Sequence, residues 1–89
     1  MAKSRREKLR DFIKKNKYGR SPEEIEELLD LYGFVMRSAT KEESVWRRGA
    51  VGLTLPRPKG DALLVSYVAL ALRKIREAED AGIPEERPS

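Results

Sequence analysis

Between residues 37 and 59 the chain strings Arg37, Lys41, Arg47, Arg48, Arg57 and Lys59 around its single tryptophan, Trp46. Guanidinium and ammonium groups at this density suit phosphate oxygens, which arginine grips with a fork of donors and lysine with a point charge. An indole among them suits stacking on a base or ribose. Lys41, Trp46, Arg47, Arg48, Arg57 and Lys59 are therefore the candidate RNA-binding residues. Strand alternation puts Trp46 and Arg48 on one face and Val45 and Arg47 on the other, so these groups do not all reach one ligand. A lone tryptophan in a small domain also has a plain alternative role as core. Glu42 and Glu43 stand next to each other in the same stretch; an isolated acidic pair of this kind is ordinarily a solvated loop, and neither a metal nor a cofactor is expected.

The residues that are missing narrow the chemistry further. With no cysteine there is no disulfide, no thiolate nucleophile and no thiolate zinc site, and with no histidine the commonest neutral-pH base is gone. Acid–base work would fall to Asp, Glu, Lys or Tyr. Phosphate-binding loops, dinucleotide fingerprints and nucleophile elbows are all absent from the sequence. Eighty-nine residues allow one small domain. Charge is segregated along it: residues 1–20 hold nine Lys/Arg against two Asp/Glu, residues 21–32 hold five Asp/Glu and no cation, and residues 33–60 return to six against two. A pI near 9.6 with this clustering is the footprint of a polyanion binder or of a merely solvated basic surface. No apolar run is long enough to span a bilayer, and no signal region follows the N-terminal charges, so a soluble cytoplasmic protein without membrane contact is expected.

Three helices and three strands must position these groups. Leu9, Phe12 and Ile13 give residues 4–16 a narrow apolar stripe among cations, the pattern of a short basic amphipathic helix. Ser21-Pro22-Glu23-Glu24 starts a second helix with a capping box and a proline at its first position; Ile25, Leu28 and Leu29 form its buried face, and Gly33 suits its exit. Alternation then replaces the helical period, giving strands over 34–38, 44–48 and 51–55 joined by a polar link and the Gly49-Ala50 turn. Pro56 to Gly60 ends the sheet. Leu64, Val68, Leu72 and Ile75 mark a long apolar helix whose cap is either Asp61 or Ser66 and which stops before Gly82. The fold class expected is α+β: a small three-stranded antiparallel sheet with helices packed on one face, in the order α-α-β-β-β-α. Residues 1–20 read as a basic helical extension, 21–82 as the domain and 83–89 as a flexible tail.

Taken in order, several segments resemble the HicA family of toxins from type II toxin–antitoxin pairs. They are Glu27-Leu28-Leu29-Asp30-Leu31-Tyr32-Gly33-Phe34, Val45-Trp46-Arg47-Arg48, Leu53-Thr54-Leu55-Pro56-Arg57-Pro58, and Ser66-Tyr67-Val68 leading into Leu72 and Ile75. The resemblance covers about residues 21–78. It implies a double-stranded-RNA-binding-domain-like fold, metal-independent cleavage of messenger RNA, and a HicB-like antitoxin partner. Counting three residues back from Trp46 places Glu43 where the family carries its catalytic histidine, with Glu42 and Lys41 in place of the preceding Ser and Gly; a register one residue later places Ser44 there. Three readings follow: an RNA-binding protein of HicA type that has lost catalysis, an active mRNA interferase with Glu43 as its base, and a protein-interaction module of a toxin–antitoxin-like complex without RNA. Its oligomeric state is left open by the sequence.

Overall fold

A computed structural model of the chain describes residues 3–86. Its elements are α1 (Arg5–Lys15), α2 (Pro22–Leu31), β1 (Val35–Ala39), β2 (Glu43–Arg48), β3 (Val51–Pro56) and α3 (Val65–Asp80). The strands form an antiparallel meander in the order β1-β2-β3, so the class is α+β with the expected order of elements. No helix of the described residues is long and apolar enough to cross a membrane.

Both N-terminal helices start on reciprocal capping boxes, Ser4 with Glu7 and Ser21 with Glu24, each satisfying two backbone N–H groups that the first helical turn leaves without partners. Glu7 accepts hydrogen bonds from the Ser4 backbone and hydroxyl, which hold its carboxyl below the usual glutamate range. At its far end α2 turns through Gly33, whose φ of 82° lies in the left-handed region. The Gly33 N–H donates to Asp30 O and the Phe34 N–H to Leu29 O, which closes the helix and throws the chain into the sheet. The third helix departs from expectation. Neither Asp61 nor Ser66 caps it; the cap is Leu64, with no side-chain bond. Leu63 enters the core and its N–H donates to Arg20 O at 2.7 Å, so burial of Leu63 rather than a polar cap fixes where the helix begins, and Leu64 is left 68% exposed.

One face of the sheet is covered by helices. Ser44, Trp46 and Arg48 of β2 and Val51, Leu53 and Leu55 of β3 point into that layer and meet Ile25, Leu28, Leu29, Val68, Ala71 and Ile75. The opposite face carries Val45, Arg47, Gly52 and Thr54, with Arg47 and Thr54 exposed and none of the described helices burying them. Residues 1–20, read as an extension, contribute to this core: Ile13 is fully buried and Leu9 packs against the cluster, while Phe12 is half exposed. On β1 an irregularity at Arg37, between Met36 and Ser38, breaks simple alternation, and Met36, paired with Trp46, is 44% exposed.

Arg48 joins these pieces. Its side chain is only 5% exposed; Nη1 donates to Tyr32 O at 2.8 Å and lies 2.7 Å from Glu79 Oε2, while Nε and Nη2 donate to Ile83 O at 2.9 and 2.6 Å. Gly82 makes the second contact possible, since its φ of 65° turns the chain back after α3 and the Ile83 N–H returns to Ala78 O. Residues 83–86, expected as the start of a frayed tail, are consequently tied down. The Glu86 N–H donates to Gly33 O, its carboxylate accepts from Arg37 and from the Gly49 N–H, and Glu85 pairs with Arg6. Residues 87–89 of the expected tail lie outside the described residues. Removing one partner of a buried ionic cluster ordinarily costs about 3–5 kcal/mol, and Glu79 is one-third exposed, so the lower end applies. Arg48→Met is expected to lower urea-unfolding stability by about 3 kcal/mol, with Arg48→Lys recovering only part because an ammonium cannot present a planar fork to Tyr32, Glu79 and Ile83 together.

Candidate functional site

The residues picked from the sequence do not form one surface. Two of the six cation and stacking candidates are interior: Trp46 is 5% exposed and donates from Nε1 to Ser44 Oγ at 2.9 Å, and Arg48 is the buried junction just described. Neither is placed to meet a nucleic acid. Arg57 lies at the surface but is occupied, with Nε and Nη2 donating to the two Glu26 oxygens at 3.0 and 3.1 Å. That carboxylate also accepts from Ser44 Oγ at 2.8 Å, so Trp46, Ser44, Glu26 and Arg57 form one relay from core to surface. The Glu26 hydrogen bonds bind the Arg57 proton more tightly than in a free guanidinium.

Lys41, Arg57 and Lys59 do gather around a shallow depression, but Glu23 and Glu26 line it with them and offset most of the charge. Arg47 stands apart from these three, on the uncovered sheet face over Gly52, where an added Cβ would meet its Cγ and Nη1 at 3.4 Å. Glu43 is exposed at the start of β2, and the hydrogen bonds it makes are those of its backbone with Thr40. No hydrogen bond or salt bridge among the described residues orients the Glu43 carboxylate for proton transfer. Among the described residues, no group of three or more acidic side chains could hold a metal.

A stronger concentration of positive charge lies elsewhere. Arg10, Lys14 and Lys17 from the α1 side and Arg73 and Arg76 from α3 line a groove of about 510 Å³ with Ala69, Leu72 and a single carboxylate, Asp80. Lys14, Lys17 and Arg73 make no salt bridge to the described residues, and Arg76 makes only an exposed 3.6 Å contact with Asp80. Arg10 is backed by an aromatic ring. Its guanidinium lies 5.2 Å from the centre of the Tyr32 ring, beside that of Arg6 at 4.9 Å, and its buried Nε has no hydrogen-bond partner among the described residues. Burial pushes the Tyr32 hydroxyl above the usual tyrosine range, a rise that the neighbouring Arg10 and Arg6 charges oppose.

Sequence reasoning missed this groove because residues 10–17 and 69–76 are far apart in the chain. A signal was present: each helix carries its cations on faces away from the apolar stripe, at spacings of three and four residues, and packing the two stripes into one core brings neighbouring rows together. No protein-family model, no curated protein and no solved structure matches the chain.

Trp46 gives a direct check on the reassignment. Its emission is expected to be blue-shifted, resistant to iodide quenching and unchanged on adding RNA. An indole that stacks on bases would be solvent-quenched when free and altered when bound.

Proposed function

We propose that this protein binds RNA through the cationic groove between α1 and α3 and does not cleave it. The observation that carries the reading is the set of five cations facing one carboxylate across that groove, four of them without a salt bridge to the described residues. Cations already paired inside a protein gain little from a phosphate, whereas unpaired ones exchange bound counterions for it and so drive association. RNA is preferred over other polyanions on the ordered likeness of residues 21–78 to HicA toxins, and the same likeness makes a HicB-like antitoxin the protein partner to look for. Loss of catalysis is favoured over a Glu43-based interferase by the setting of Glu43, exposed and, among the described residues, hydrogen-bonded through its backbone.

Groove variants give the test. In EDTA, RNA is expected to stay intact on denaturing gels while native gels show a shift. For four to five phosphate contacts on a single strand, log K should fall against log salt with a slope of about −3. Lys14→Glu combined with Arg73→Glu should abolish the shift while leaving the circular dichroism spectrum intact, since neither side chain is in the core. Cleavage by the parent chain that disappears in Glu43→Ala would replace this reading with the enzymatic one.

A further inference from the structure

The short link between α1 and α2 carries the most exposed aromatic side chain of the described residues. Tyr18 is 82% exposed, yet the backbone on both sides of it is fixed. Before it, the Asn16 N–H and side-chain amide both donate to Phe12 O, closing α1. After it, Gly19 turns at φ 74° and Arg20 is held on three sides: its Nε donates to Tyr18 O, its Nη1 pairs with Glu24 at 3.0 Å, and its carbonyl accepts from Leu63. The Arg20 guanidinium also lies 4.8 Å over the half-exposed Phe12 ring. An aromatic ring is thus presented to water on a rigid turn, and Lys17, the residue immediately before it, lines the cationic groove.

We infer that Tyr18 is a base-stacking platform at the end of the α1–α3 groove and that it makes the protein select single-stranded over double-stranded RNA. The inference rests on the groove being the phosphate-binding surface and adds the substrate class. Groove cations see only the backbone, which both forms of RNA possess, so by themselves they give a single strand no advantage over a duplex. A ring beside them adds affinity only where a base is free to leave its own stack, which a strand does readily and a duplex does not. Folding supplies no competing use for the ring, since Tyr18 belongs to no part of the core. Its contribution does not depend on sequence, because every base has a π face.

The experiment compares the full chain with Tyr18→Ala and Tyr18→Trp, measuring affinity for a short oligouridine, a blunt RNA duplex of equal length and inorganic polyphosphate. For Tyr18→Ala the oligouridine affinity should fall about tenfold while duplex and polyphosphate affinities stay within about twofold, and Tyr18→Trp should restore the strand preference. An equal loss on strand and duplex, or no loss on either, overturns the stacking role. The underlying reading fails by a separate sign: if Lys14→Glu with Arg73→Glu keeps the parent affinity for all three ligands, the groove is not the phosphate surface, and the inference falls with it.

Discussion

A guanidinium sealed inside a small domain has to be met by acceptors, because leaving the charge unpaired away from water costs several kcal/mol. Arg48 is met by three groups from two distant parts of the sequence: the carbonyl at the end of α2, and the carbonyl just past α3 with a carboxylate on the last turn of α3. Helix C-termini leave carbonyls without partners, so one side chain and two helix ends solve each other's problem. The position of the chain after α3 follows from it. Once Ile83 is fixed against Arg48, Glu85 and Glu86 are within reach of Arg6, Arg37, the Gly49 N–H and Gly33 O. The close approach at Gly33, where a Cβ would lie 2.3 Å from Glu85 atoms, explains why that helix exit must be glycine on steric grounds as well as on φ.

The same bookkeeping of partners decides which cations face outward. Arg6, Arg20, Arg37, Arg48 and Arg57 are each bound to a carboxylate of another element or turn, and their charge goes into holding the fold. Arginine suits that work through its fork of donors. The groove retains Lys14, Lys17 and Arg73 outside such pairs, and its deepest member, Arg10, is backed by the Tyr32 ring instead of by an acid. A cation held by an aromatic face keeps its full charge toward solvent, so Tyr32 supports both the core and the electropositive surface.

Much of the architecture was legible because it is local. The apolar stripe of residues 4–16, the Ser21 capping box, the glycine exit of α2, the switch from helical to alternating period and the Gly49-Ala50 turn locate five of the six elements from neighbouring residues alone. The start of α3 was not, since it depends on Leu63 finding the core. The site was less legible, for two reasons. Cations close in sequence are dispersed by the meander: alternation sends Arg47 and Arg48 to opposite faces, as the strand pattern implies, while the meeting of the loop cations with Glu23 and Glu26 is set by tertiary packing. The burial of Arg48 was implied, however, by its sharing a face with Trp46, because a tryptophan in the core takes that whole face inward. Groove residues on α1 and α3 converge only through tertiary packing, which no local pattern displays.

RNA binding in the α1–α3 groove is tested most directly by following backbone amide shifts while the chain is titrated with a short single-stranded RNA. The largest changes are expected along residues 10–18 and 69–76, the two walls of the groove and the turn beside it, while Lys41, Arg47 and Lys59 stay near their free positions. Changes concentrated on β2 and on residues 57–60, with α1 and α3 unmoved, would contradict groove binding.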